Sequence, residues 1–306
     1  MPELPEVESI RAQLAPLLVG RRFERVEILD PRLTRPLAPD EVPTRVEGQS
    51  VEAVERRGKY LVVRFRGGRS LLIHLRMTGN LSHHRDGPLP DDPYRRAVIS
   101  LDNGSDIVYR DVRRFGTWVV LEAPDVEPYV ALRLGPEPLE PSFTARELAR
   151  RLAGRRAPIK AALLNQAIVA GLGNIYVDEA LWRARLHPER PAGSLTPAES
   201  RRLHGAIRRS LAVGILRQGA TLRDYRLPGG EPGAMQLEFN VYGRGAEPCP
   251  RCGAPIEKTR AGGRGTSFCP RCQPLHPHPA RPKPARRQAA RRSSSAPVRA
   301  SRQSSA

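Results

Sequence analysis

Two groups of residues in this chain have the types and spacing to do chemistry. The first is Pro2 with Glu3, in the opening Met1-Pro2-Glu3-Leu4-Pro5-Glu6-Val7-Glu8. An initiator methionine before a small residue is normally trimmed, so a prolyl secondary amine is expected at the N-terminus. An α-amino group has a reference pKa of about 8, against about 10.4 for lysine, so near neutrality far more of it is free base. Attack of such an amine on an aldehyde-level carbon gives an iminium, and an adjacent carboxyl can move protons. On these two residues alone a plain helix start is the simpler reading, since Pro5 suits a first turn and acids suit a helix N-terminus. The second group is Cys249-Pro-Arg-Cys252 and Cys269-Pro-Arg-Cys272, separated by sixteen residues. That spacing points to one structural zinc ion held by Cys249, Cys252, Cys269 and Cys272, with a hairpin between the knuckles. Four thiolates leave no open coordination position, so the metal holds structure. Separate redox dithiols would need a thioredoxin-like context that is absent.

Several kinds of element must position these groups. Val7, Ile10, Leu14, Leu17 and Leu18 recur at helical spacing and Gly20 stops the run, so the amine starts a helix of about four turns. Strand-like runs follow at 22–29, 51–57, 60–65, 70–75, 97–101, 106–109 and 117–121, with hairpin signals at Gly67-Gly68 and Asn103-Gly104. Such spacing suggests a β-sandwich or barrel. The 82–93 stretch, with His83 and His84, reads as a loop. Beyond Gly135 the pattern turns helical, near 144–152, 159–169, 175–185 and 197–216. Thr144…Glu147 and Thr196…Glu199 form capping boxes at two of these starts. The 223–235 stretch, rich in Gly and Pro, reads as a mobile loop. The expected class is multidomain α+β. It comprises an N-terminal β-sandwich domain (1–135), a helical domain (136–235), a zinc-finger hairpin (236–273) and a disordered basic tail (274–306).

The 306 residues carry 51 Lys and Arg against 32 Asp and Glu, a net charge of +19. Eight of those charges lie in the acid-free stretch from Gln273 onward, so the rest still carries +11. A balance this basic is the footprint of a nucleic-acid binder. No apolar stretch can span a bilayer and no signal segment opens the chain, which reads as soluble and intracellular.

Ordered motifs between residues 2 and 272 then converge. The opening, Arg57-Gly-Lys59-Tyr60, His74-Leu-Arg-Met77-Thr-Gly, Arg113-Arg114-Phe115-Gly, Leu134-Gly-Pro-Glu-Pro-Leu139, Gly171-Leu-Gly-Asn174-Ile-Tyr176, Val241-Tyr-Gly-Arg244 and the cysteine module together resemble the formamidopyrimidine-DNA glycosylase family. The resemblance implies a β-sandwich, a helix–two-turns–helix domain and a zinc finger. It implies a bifunctional DNA glycosylase and AP lyase of base excision repair, acting on 8-oxoguanine and formamidopyrimidines in damaged double-stranded DNA. A monomer in the bacterial cytoplasm, associated with the nucleoid, is implied too.

Residue by residue, Pro2 resembles the nucleophile at C1′ and Glu3 the acid that opens the sugar ring. Lys59 would supply a cation or proton donor, and Arg264 would grip phosphate and assist elimination. Met77, Arg113 and Phe115 match the residues that fill the gap left by the flipped base. Arg114 belongs to the same motif, and Tyr94 aligns with a DNA-contacting histidine. The Gly171–Asn174 turn is expected to aim a helix N-terminus, capped by Asn174, at a DNA phosphate. Arg155 and Lys160 would add phosphate contacts. Trp118 and Trp182 read as core. Val112 and Ala234 depart from the residues usual at those places. Without the motifs, Lys59 would be a solvent-facing strand lysine, Arg264 an ordinary hairpin charge, and Met77 and Phe115 core packing. Two other functions compete: an endonuclease VIII-type glycosylase for oxidised pyrimidines, and a non-catalytic zinc-dependent DNA-binding protein.

Overall fold

The computed structural model describes residues 1–85 and 87–275. The expected tail lies, from residue 276 on, outside the described residues.

Helix α1 (Leu4–Leu18) starts where Glu3 adopts extended backbone; the Glu3 N–H donates to the Glu6 carboxylate at 2.8 Å. It ends against Gly20, whose φ of +83° lies in the left-handed region that glycine enters without strain. One face of α1 (Val7, Ile10, Leu14, Leu18) is buried.

Two four-stranded antiparallel sheets follow. The first orders β1 (Phe23–Ile28), β6 (Arg95–Leu101), β7 (Asp106–Asp111) and β5 (Gly79–His84). The second orders β2 (Val51–Arg57), β3 (Tyr60–Phe65), β4 (Arg69–His74) and β8 (Thr117–Glu122). Val26, Leu81, Ile99 and Tyr109 of one sheet share a core with Leu61, Val63, Leu71 and Trp118 of the other, and the apolar face of α1 joins it. This is the expected sandwich. Strand β5 corrects the loop reading of 82–93. Gly79 to His84 pair residue for residue with Asp111 to Asp106, so His83 and His84 lie on a strand. A polar edge strand of this kind gains its order from its partner and not from its own pattern. Two short helices, α2 (Glu41–Val46) and α3 (Ala123–Ala131), also escaped the sequence reading.

A second core gathers α4 (Ala145–Leu152), α5 (Ile159–Leu164), α6 (Asn174–Ala184) and α7 (Pro197–Leu216), and Leu4 of α1 packs into it. Thr144 and Thr196 cap α4 and α7 by accepting from the Glu147 and Glu199 N–H groups. The full capping box forms only at Thr196, whose N–H donates to Glu199; at α4 the Glu147 carboxylate instead accepts from Arg150 and Arg151. Helix α5 stops at Leu164, short of the expected 169. The Asn165 side chain accepts from the Ala167 N–H at 3.0 Å and turns the chain there. Met235, expected in the loop, opens a short 3-10 helix (Met235–Glu238) and is fully buried.

Strands β9 (Glu257–Ala261) and β10 (Arg264–Phe268) form the hairpin between the cysteine pairs. Among the described residues, no helix is long and apolar enough to cross a membrane.

Candidate active site

Glu3 is almost fully buried, and its carboxylate accepts hydrogen bonds from the Ile175 N–H at 2.9 Å and the Tyr176 N–H at 3.3 Å. It therefore occupies the N-terminus of α6, where the first amides lack partners within the helix. Two sequence expectations fail here. The α6 N-terminus is taken by Glu3 and is not open to a DNA phosphate. The helix is capped from Gly173, and Asn174 is its first residue, with its Nδ2 donating to the Gly265 carbonyl at 3.0 Å. Any side chain at position 173 would collide with the Glu3 carboxyl, so the turn needs glycine. The Leu4 N–H donates to the Gly171 carbonyl at 3.0 Å, which fixes the first residues against the same turn.

Burial raises the Glu3 pKa to about 7, against the opposing pull of Lys59. Lys59 sits on the turn between β2 and β3, is only 6% exposed, and its Nζ donates to the Leu172 carbonyl at 2.7 Å. Burial lowers its pKa, and the charges of Glu3 and Glu6 partly offset that. Lys59 is thus not the solvent-facing lysine its strand context suggests.

Pro2 is buried and lines a cavity of about 380 Å³ with Glu6, Met77, Arg113, Tyr225 and Tyr242. A smaller space of about 260 Å³ adds Glu3, Lys59, Asn174 and Arg264, sharing Met1, Met77 and Tyr242 with the first. A third, of about 520 Å³, places His74, Phe115 and Gln166 beside Lys59 and Arg264. Shared walls make these one cleft between the sandwich and the helices.

Asp111 organises the far wall. Its carboxylate accepts from the N–H groups of Arg113, Phe115 and Gly116 and from the Thr78 hydroxyl. Met77, half-buried, and Phe115, 51% exposed, are held on these turns, with the Arg113 guanidinium 4.8 Å from the Phe115 ring centroid. An exposed, rigidly mounted phenyl ring argues against core packing. Arg114, exposed in the same motif, pairs through two nitrogens with the buried Asp30, at 2.5 and 2.8 Å. Tyr94, 39% exposed, lies between Arg110 and Arg96 outside the cleft, with their guanidinium carbons at 4.8 and 5.9 Å from the ring.

The expectation for Lys160 also fails. It is completely buried, ion-pairs with Asp178 at 2.7 Å and donates to the Gly265 carbonyl at 2.9 Å. It cannot reach a phosphate. Arg155 is exposed outside the cleft, its Nε donating to the Arg151 carbonyl. Arg264, next to the anchored Gly265, is exposed and lines two of the three spaces.

The four cysteine sulfurs lie within 4.8 Å of one another. Cys249 and Cys272 are 3.9 Å apart and Cys252 and Cys269 3.5 Å. Tetrahedral zinc–thiolate bonds of about 2.3 Å separate the sulfurs by just under 4 Å, so the cluster fits one structural zinc ion.

Other cleft residues escaped the sequence reading. Glu6 Oε1 accepts from the Tyr176 hydroxyl and the Ala220 N–H, both at 2.8 Å. Its place three residues after Glu3 was the available signal. His74, 9% exposed, accepts at Nδ1 from the Arg76 N–H, so its Nε2 carries the proton. Burial, then the charges of Arg76 and Lys59, hold its pKa down at about 3. Tyr242 stands in the Val241–Arg244 motif without a role assigned to it, and Gln166 gave no local signal.

Three family descriptions match in order: the formamidopyrimidine-DNA glycosylase N-terminal domain over residues 1–118, its H2TH domain over 134–226, and a zinc finger found in FPG and IleRS over 246–275. The formamidopyrimidine-DNA glycosylase of Symbiobacterium thermophilum is 52% identical over 262 residues, 85% of each chain. Solved structures of the Lactococcus lactis Fpg superpose as well. The complex with abasic-site DNA gives a TM-score of 0.84 at 36% identity, covering 89% of this chain and 100% of that one. The wild-type complex with N7-benzyl-Fapy-dG DNA gives 0.84 at 36%, covering 90% and 100%. On the joint weight of ordered motifs, matching domains and a relative aligned along most of its length, this chain belongs to the formamidopyrimidine-DNA glycosylase family.

Proposed function

We propose that the family's reaction, DNA glycosylase followed by AP lyase in base excision repair of oxidised purines, runs in this chain on the amine of Pro2 once Met1 is removed. The nitrogen lone pair attacks C1′ of the damaged nucleotide while the glycosidic C–N bond breaks and its electron pair leaves with the base, which takes up the proton that the amine nitrogen gives up. Glu3, neutral over part of the population near pH 7, gives its proton to the ring oxygen as the ring opens, leaving an iminium between Pro2 and C1′. The iminium acidifies the C2′ hydrogen. Loss of that proton expels the 3′ phosphate, and a second elimination expels the 5′ phosphate. Lys59 and Arg264 face the same space as Glu3 and supply positive charge where the phosphates depart.

The observation that carries this reading is the meeting of adjacent Pro2 and Glu3 with the sequence-distant Lys59 at one cleft, with a carboxyl whose pKa lies near neutrality. Met77, Arg113 and Phe115 fill the duplex where the base has left. Tyr94 contacts the DNA backbone outside the cleft, and Arg155 offers a peripheral charge. Asn174 lines the phosphate side of the cleft. The division of labour follows the sequence blocks: catalysis in 1–135, duplex grip in 136–235, and the Arg264 hairpin, braced by zinc, in 236–273. The partner is damaged double-stranded DNA. One cleft on one lesion needs only a monomer, acting at the nucleoid in the cytoplasm.

Nicking of duplex oligonucleotides tests this directly. Strands with 8-oxoguanine opposite cytosine are expected to be cut faster than strands with thymine glycol, and Pro2→Gly to lose most of the cutting. Faster cutting of thymine glycol would transfer the chain to the oxidised-pyrimidine class.

A further inference from the structure

Helix α6 joins several parts of the site. Its first turn holds Glu3. Asp178 receives the Ser267 N–H of β10 at 3.0 Å, and Glu179 Oε1 accepts from the N–H groups of Asn240, Val241 and Tyr242. In its last turn stands Trp182, which the glycosylase and lyase steps do not use. Trp182 is 7% exposed and packs with Val241, Ile256, Cys249 and Cys269. Its indole Nε1 lies 3.4 Å from the Cys249 sulfur and donates to it. Among the described residues, no other side chain outside the four cysteines donates to one of their sulfurs. The Arg251 guanidinium covers the indole, 4.0 Å from its centre, and donates to the Trp182 carbonyl at 3.1 Å, so the ring cannot swing out.

An indole N–H can only donate, and when buried it finds a partner. Here the partner is a cysteine of the cluster that fits zinc. Four thiolates around one divalent ion leave excess negative charge in a partly buried place, and a donor aimed at one sulfur offsets part of it. Partners outside the ligand sphere of a metal site typically change its affinity by about 10- to 100-fold when removed. We propose that Trp182 is an outer-sphere partner of the zinc site. Its N–H holds the Cys249 thiolate in its binding position and ties metal retention to helix α6, and hence to the Glu3 end of the cleft.

The test uses the full chain, with Trp118→Phe as background so that Trp182 is the only tryptophan. Zinc affinity is measured by competition with a chromogenic chelator, and indole emission is followed as the metal is withdrawn and restored. Three forms are compared: the parent, Trp182→Phe, and a protein carrying β-(benzothienyl)alanine at 182, in which sulfur replaces the N–H without changing ring size. The expected result is zinc affinity about 10- to 100-fold weaker in both altered forms, with Trp182 emission shifting reversibly in the parent. Parent-like affinity in the benzothienyl protein would overturn the proposal, even if Trp182→Phe were weakened or failed to fold, because packing alone would then explain the residue.

Discussion

At the scale of single residues, Glu3 stands out because its surroundings hold a proton on it near neutral pH. Its folded pKa of about 7 stands above the ordinary value of 4.5. The native state therefore keeps a proton that the unfolded chain has released, and stability falls as pH rises from the ordinary carboxyl range to about 7. At roughly 1.4 kcal/mol per unit, the loss is about 3 kcal/mol. Glu6, raised by burial in the same direction, adds to it. Urea unfolding at pH 5 and pH 8 checks this: the drop between them is expected to be smaller in Glu3→Gln than in the parent. An equal drop in both would mean that Glu3 titrates normally. In activity, Glu3→Gln is expected to slow base release by about 10²- to 10⁴-fold. The alkaline limb of the kcat/KM profile near pH 7 should vanish with it; persistence of that limb would assign it elsewhere. Pro2, Glu3 and Lys59, which the fold brings to one cleft, could be picked out as candidates because they stand inside dense motifs. Lys160 was misread because a lysine in a basic stretch looks solvent-bound, and the acid that claims it, Asp178, stands 18 residues away.

At the scale of elements, the reading succeeded wherever pattern and packing agree. Strands β2 and β3 and helix α7 fall where alternation, turn and capping signals put them. It failed where tertiary contacts alone order the chain. Strand β5 has one strong apolar residue, Leu81, and exists because β7 offers it hydrogen bonds. Nothing local could reveal that Glu3 caps a helix starting some 170 residues later. The Lys160–Asp178 pair is another long reach: it clamps β10 to the helices and so places Arg264. Lys160→Met leaves Asp178 buried without its partner and is expected to cost about 3–5 kcal/mol in urea unfolding. Lys160→Met with Asp178→Leu should recover most of it, since an apolar pair of similar volume is often tolerated. The single variant should also slow strand scission at a preformed abasic site, through a displaced Arg264. A single variant as stable as the parent would show that the pair does not brace the hairpin.

At the scale of the whole molecule, charge governs encounter with DNA and the cleft governs the reaction. The net charge of +19 predicts steep salt dependence, since each neutralised phosphate contributes about −0.9 to the slope of log affinity against log salt. Truncation should fall after Leu275. Gln273 is fully buried, accepting from the Cys269 N–H and donating to the Leu186 carbonyl, so it belongs to the zinc module. Removing 276–306 is expected to flatten the salt slope of duplex binding in a filter or fluorescence assay while leaving single-turnover cutting unchanged. Loss of the chemical step would place part of the reaction in that segment.

The covalent step is the centre of the account, and borohydride trapping with peptide mapping tests it most directly. Full-length protein is mixed with an abasic-site duplex, reduced, digested and analysed by mass spectrometry. The account predicts a stable protein–DNA adduct whose sugar remnant is carried by the N-terminal peptide, on the nitrogen of Pro2. A remnant on Lys59, or active protein that keeps Met1 and yields no adduct, would contradict it.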